Sequence, residues 1–262
     1  WRVMFVVGTV PALLAILIRR RLKEPDRWKA IAEQGGQRPR LGSYSELFGV
    51  PRWRRNAIVG MFLAFAGIVG LWGIGFFSFD LFRSVFTKQF EAAGLSPDEI
   101  KWKLALWISL TSIFQNIGGF FGIWAYSRIT PHIGRKPAFA VAFVLAMLST
   151  AMVFGFMNDR TQVFWMIPIM GFCQLSLFGG YAIYFPELFP TRLRSTGTSF
   201  CYNVGRYVAA IGPYTFGYLT STVFADQSEP MRYAGVAMCG IFLVGLLVLP
   251  FAPETKGQPL PE

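Results

Sequence analysis

Residues 186–197 read Pro186-Glu187-Leu188-Phe189-Pro190-Thr191-Arg192-Leu193-Arg194-Ser195-Thr196-Gly197. This short charged hinge separates two long apolar runs, about Val163–Phe185 and Gly197–Leu219. Each run has the length, about 20 residues, that a helix needs to cross a hydrocarbon core of about 30 Å. The hinge therefore reads as the turn between two membrane helices. The pattern repeats outward in both directions. Further apolar runs cover about Val3–Ile18, Ala57–Phe79, Leu104–Trp124, Ala138–Phe156 and Tyr233–Phe251, giving seven in all. The fold class expected is an all-α polytopic membrane protein.

Composition agrees. Of 262 residues, 53% are hydrophobic and only 15% charged, against roughly 25% charged in soluble domains. A net charge of +11 would suit nucleic acid, but the basic residues are confined to alternate loops. Residues 19–55 hold eleven Lys/Arg and four Asp/Glu (net +7), 126–137 net +3 and 186–196 net +1. The intervening loops, 80–103, 158–162 and 220–232, net 0, 0 and −1. Basic loops stay on the cytoplasmic side, so the start of the chain is expected outside and the tail inside. Within the long basic loop, Asp26–Glu33 suggests a short interfacial helix, and Ser43 with Glu46 a capping box. Lipid headgroup contact is the plain role of such a loop, and a regulatory partner the other. Cys173, Cys201 and Cys239 lie inside apolar runs and read as small buried residues, with no metal or disulfide spacing. No cofactor is implied. The chain opens on Trp1 within an apolar run, which suggests a piece of a longer protein.

The polar residues inside the runs carry the chemistry. Ser109, Ser112, Asn116 and Gly119 recur at helical spacing in the third run, beside Gln115. Gln174, Phe178 and Tyr181 share a face of the fifth, and Tyr202, Asn203 and Arg206 a face of the sixth. Arg206 lies nine residues past Gly197, roughly 13 Å into the bilayer at about 1.5 Å per residue. An intramembrane arginine costs on the order of 3 kcal/mol or more unless paired or wet. None of the seven runs contains an Asp or Glu. The counter-charge must come from elsewhere, either from a bound anion, whose carboxylate a planar guanidinium grips through both oxygens, or from another part of the protein. Tyr202, Asn203, Gln174, Tyr181, Asn116 and Gln115 could line the same cavity, and each is also explained by helix packing. His132, the only histidine, reads as a solvated loop residue.

Runs one, four and seven are polar-poor, a period of three that implies three-helix units. Runs two to seven then form one six-helix bundle over residues 56–252. Residues 1–18 are the last helix of a preceding bundle, 19–55 an inter-bundle loop and 253–262 a tail.

Here the sequence resembles the major facilitator superfamily, in its second half. The hinge Pro186–Arg194 is similar to the motif before the eleventh helix of sugar porters and metabolite–proton symporters. Pro253-Glu254-Thr255-Lys256-Gly257 resembles the motif after the twelfth helix, and Gly134-Arg135-Lys136 the loop between helices eight and nine. The resemblance implies helices six to twelve of a multi-pass plasma (inner) membrane transporter, with a missing N-terminal six-helix half as its partner, and alternating access about a central site. The function expected is secondary transport of a small organic anion, which Arg206 favours, by the proton symport that the resemblance implies, with a sugar or polyol porter as the alternative. Any proton-coupling carboxylate is expected in helices one to five. Glu187 with Arg192 or Arg194 would form gating ion pairs or a fixed clamp. The family's loop often has an acidic residue before its basic pair. Here Tyr126-Ser127-Arg128 and Ile129–Ile133 precede Gly134, so Arg135 and Lys136 read either as part of a charge relay or as inside-positive charge alone. A seven-helix photoreceptor would need a buried lysine for its retinal, and a membrane enzyme a cluster of titratable groups. The runs contain neither.

Overall fold

The computed structural model describes residues 2–21 and 42–261, so the helix suggested at Asp26–Glu33 lies outside the described residues. The chain divides into two compact units, one before and one after residue 42. The first contains α1 (Arg2–Gly8) and α2 (Val10–Arg21), separated by a turn at Thr9. Val3, Met4, Val6, Leu13 and Leu14 on these helices are all more than half exposed, a surface that only lipid or protein can cover.

The second unit is built of helices α3 (Tyr44–Gly49), α4 (Pro51–Ala92), α5 (Pro97–Ile133), α6 (Arg135–Phe156), α7 (Val163–Glu187), α8 (Arg194–Ala209), α9 (Ile211–Tyr218), α10 (Pro230–Met238) and α11 (Ile241–Val248). The described residues contain five helical segments long and apolar enough to cross a membrane: α4, α5, α6, Arg160–Glu187 and Pro230–Phe251. The two remaining expected spans differ. The first is a shorter apolar helix, Arg2–Ile16. The sixth is polar and interrupted: it breaks after Ala209, resumes as α9 and ends in a π-turn at Leu219–Val223. Pro213 explains the break, because its ring excludes the carbonyl four residues earlier, that of Ala209.

Two expected loops are mostly helix. Residues 80–103 form no charged loop, since α4 continues to Ala92 and α5 begins at Pro97. Ser96 starts α5 with a full capping box: its hydroxyl accepts from the Glu99 N–H, and the Glu99 carboxylate accepts from the Ser96 N–H. At 42 and 37 residues, α4 and α5 exceed the 20 or so that a bilayer needs, and their charged ends extend past it. Phe82, Phe86 and Phe90 are buried in this extension. Gln89 fastens it to the turn at 158–160 by donating to Asp159 Oδ2 and accepting from the Arg160 N–H. The 126–137 loop shrinks to one residue, Gly134, at φ +97. His132 accordingly sits in the last helical turn of α5, exposed as expected.

Helices pack closely where side chains are absent. Gly118, Gly122 and Gly171 bring α5 and α7 into backbone contact: a Cβ on Gly118 would overlap the Pro168 carbonyl, one on Gly122 that of Phe172, and one on Gly171 that of Gln115. Small residues are the usual means of association where the solvent is itself apolar. Helix α8 lies on α4 through Gly205 against Ala64 and Cys201 against Gly60. Cys173, Cys201 and Cys239 are free and buried. Around these contacts an aromatic core fills the bundle, with Phe139 against Tyr126, Phe143, Tyr181 and Tyr184.

Candidate functional site

Two polar groupings stand out. The first is on α8. Gly197, Cys201, Gly205 and Ala209 face inward, a helical stripe that leaves Asn203, Arg206 and Tyr207 exposed. The guanidinium of Arg206 lies over the Tyr202 ring at 5.7 Å, and that ring meets Phe178 edge-on at 6.3 Å. A chain of contacts thus leads from α7 to a cation at the surface of the bundle. Among the described residues no carboxylate pairs with Arg206. Asn203 donates to the Ser199 hydroxyl at 3.0 Å, within its own helix. Tyr214 and Tyr218, also exposed, extend the aromatic face along α9.

The other expected cavity residues divide. Asn116 is exposed and donates to the Ser112 carbonyl one turn back. Gln115, Gln174 and Tyr181 are buried at 8%, 1% and 2% exposure. Gln174 donates to the Thr150 hydroxyl at 2.8 Å, and Tyr181 to the Leu63 carbonyl at 2.8 Å.

The second grouping is at the end of the bundle that holds the hinge and the tail. Arg135 grips Glu187 with both arms, Nε to Oε2 at 3.0 Å and Nη2 to Oε1 at 2.8 Å. The expected pairing of Glu187 with Arg192 or Arg194 is therefore corrected. The hinge turns sharply after α7, so Arg192 reaches Glu46 of α3 instead, at 2.8 Å, and Arg194 Nε donates back to the Pro186 carbonyl. Nor do Arg135 and Lys136 serve as inside-positive charge alone. Arg135 joins α6 to the end of α7, and Lys136 Nζ donates to the Pro250 carbonyl at 3.2 Å.

The tail completes this grouping. Glu254 caps α6, accepting from the Arg135 and Lys136 N–H groups at 2.9 and 3.0 Å, and also from those of Thr255 and Lys256. Burial raises the Glu254 pKa, but these four N–H donors outweigh it and hold the carboxyl below its ordinary value. Gly134 makes room for it, since a Cβ there would sit 3.0 Å from Glu254 Oε2. The Thr255 hydroxyl donates to Glu187 at 2.6 Å, and the Tyr184 hydroxyl to the Pro253 carbonyl at 2.7 Å. Asn56, buried, donates to the Leu188 carbonyl of the hinge at 2.9 Å. Glu46, Asn56, Tyr184 and Thr255 were not legible as partners. Arg232 was not either: buried at the opposite end of α6, it donates to the Phe154 and Met157 carbonyls and pairs with Glu229. No group of three metal-binding side chains occurs among the described residues.

This arrangement is an all-helical bundle with a polar clamp at one end and a cationic face. Residues 161–262 match the family described as Sugar (and other) transporter. The chain is 26% identical over 99% of its length to a protein named for metabolite transport in Haemophilus influenzae, covering 60% of that relative. It is 24% identical over 92% of its length to the cis,cis-muconate transport protein of Acinetobacter baylyi, covering 55% of it. It is also 24% identical over 99% of its length to an inner membrane metabolite transport protein of Escherichia coli, covering 55%. By sequence match and helical framework the chain is similar to transporters of the major facilitator type, in the second half of that fold. It spans little more than half the length of these curated relatives.

Proposed function

We propose that the whole protein is a secondary transporter of a small organic anion, most simply a carboxylate, and that Arg206 is its anion anchor. The observation that carries this reading is an arginine on an exposed helix face with no acidic partner among the described residues, backed by the Tyr202 ring. A guanidinium left unpaired at membrane depth is costly, and a carboxylate solute removes that cost while gaining two charge-assisted hydrogen bonds. The relative named for cis,cis-muconate, a dicarboxylate, supports the same solute class. Asn203, Tyr202 and Asn116 supply neutral polar contacts on the accessible faces. The buried Gln174, Tyr181 and Gln115 shape the wall behind them.

The ionic cluster at the bundle end is a fixed clamp in this reading. Arg135, Glu187, Glu254 and Thr255 all belong to one bundle, so their bonds make that bundle rigid enough to rock as a body during alternating access. The tail-bearing end is cytoplasmic by the charge bias of the loops. The coupling ion is a proton by family resemblance, with its carboxylate carried outside these residues. A sugar or polyol carrier is the second reading, favoured by the matched family's description.

Uptake by the complete protein in proteoliposomes tests the proposal, with labelled carboxylates and neutral sugars compared for wild type and Arg206→Gln. Carboxylate entry that the substitution abolishes while the protein still folds is the expected result. Sugar entry that survives the substitution would overturn the anion reading.

A further inference from the structure

The start of α4 carries a charge pattern that helix physics disfavours. Arg52, Arg54 and Arg55 all lie in or next to its first turn, which contains no acidic residue, and no side chain caps it. The N-terminal end of a helix is itself positive, so three cations there repel it. No carboxylate among the described residues pairs with any of the three. Arg52 is held over the Trp53 ring at 4.8 Å, and Arg55 Nη2 donates to the Phe251 carbonyl at 3.1 Å. These contacts fix two of the cations in place without neutralising either.

Two cavities meet at this point, and both are lined by Pro51 and Arg55. One, of about 470 Å³, has Arg52, Arg55, Asn56, Thr255 and Gln258 in its lining, beside Leu188, Leu260 and four prolines. Glu187 also lines it, but its charge is already matched by Arg135. The other, also about 470 Å³, is a groove walled by Ile58, Val59, Phe62, Val248 and Phe251, with Arg54 and Arg55 also in its lining. Ile58 and Phe62 are 41% and 39% exposed. A cup lined by Arg52 and Arg55 thus adjoins an apolar groove between α4 and the end of Pro230–Phe251, the two sharing Pro51 and Arg55.

We propose that this pair of cavities binds one anionic phospholipid, its phosphate headgroup between Arg52 and Arg55 and an acyl chain along Ile58, Phe62 and Val248. A free anion would fill the cup and leave the groove uncovered. A zwitterionic lipid would fill the groove and add a further cation beside the arginines. Charge and shape together select the anionic lipid, and basic pockets between membrane helices commonly take such headgroups.

The test places a bimane probe at Ile58→Cys in the complete protein, where Cys173, Cys201 and Cys239 are buried and any accessible cysteine outside these residues is replaced by serine. Vesicles contain dibrominated-acyl phosphatidylglycerol or dibrominated-acyl phosphatidylcholine at equal mole fraction, and quenching reports which acyl chain occupies the groove. The expected result is preferential quenching by phosphatidylglycerol, with the preference falling about five-fold for each arginine removed as Arg52→Gln and Arg55→Gln are combined. A parallel variant, Val248→Trp, at a half-buried position of the groove wall, fills the groove without altering charge and should abolish the preference too. Equal quenching by the two lipids in the arginine-bearing protein would overturn the proposal. So would loss of the preference on adding millimolar glycerol phosphate, which would show that a free anion takes the cup.

Discussion

Removing the Arg135–Glu187 pair should cost the bundle stability, and a double-mutant cycle measures how much. The two side chains are 14% and 20% exposed, between a surface pair and a buried one. Surface pairs contribute about 0–1 kcal/mol, and breaking one partner of a buried pair costs about 3–5 kcal/mol. The geometry here is bidentate, with two charge-assisted bonds at 2.8 and 3.0 Å, so a coupling energy of about 2 kcal/mol is expected, roughly thirty-fold in the folding equilibrium. The single substitutions should be unequal. Glu187→Gln leaves Arg135 with the Thr130 carbonyl and nearby Glu254. Arg135→Gln leaves Glu187, among the described residues, with the Thr255 hydroxyl alone, and should cost more. The assay is denaturant unfolding of the complete protein in micelles, followed by tryptophan fluorescence for wild type, both single variants and the double variant. A coupling below about 0.5 kcal/mol would refute the argument, since that is the scatter of independent sites. Unchanged unfolding with altered uptake in Glu187→Gln would make the pair a gate instead of a clamp.

Two further outcomes follow from the same packing. Gly122→Ala places a methyl into the Phe172 carbonyl, where neither helix backbone can give way. It should destabilise by about 3 kcal/mol or more, seen as loss of a monodisperse peak in size-exclusion chromatography, whereas Gly155→Ala, with open space around it, should behave as wild type. Glu254 titrates below its ordinary value in the folded protein, so its contribution is fully present above the unfolded-state pKa and is lost as pH falls through the folded one. Apparent melting temperature should therefore fall on acidification below about pH 4, and Glu254→Gln should melt lower at neutral pH and lose part of that acid dependence. Identical acid profiles for the two proteins would contradict the capping role.

The membrane class of this chain was legible because hydrocarbon is a simple solvent. A helix there must be apolar for about 20 residues, and runs such as Ala138–Phe156 announce themselves. The ends were harder. Residues 80–92 are charged enough to suggest a loop, yet Phe82, Phe86 and Phe90 recur every four residues and keep α4 helical beyond the bilayer. That apolar spacing was the available signal, and charge counting masked it. The glycines of α5 and α7 were visible as residues, but which glycine meets which carbonyl depends on how two helices with another between them come together.

The site divides along the same line. Arg206 could be found because it breaks an apolar run, a property of its own neighbourhood. The partners of Glu187 could not, because they are chosen by the way helices end. Glu187 closes α7, and Arg135 opens α6 after a single glycine at positive φ. The two residues lie 52 positions apart in the chain yet stand at adjacent helix ends. Arg192 and Arg194 are closer in sequence, but the turn between Leu188 and Leu193 carries them past the carboxylate, one to Glu46 and the other back to a carbonyl. Nearness in sequence favoured the wrong arginines. What fixes the right one is the tail: Glu254 caps α6 and anchors the Arg135 backbone, while Thr255 holds Glu187 Oε2, the oxygen that Arg135 Nε also contacts. Three motifs that read as separate charged punctuation are thus one structure, assembled only when all the helices between them are in place.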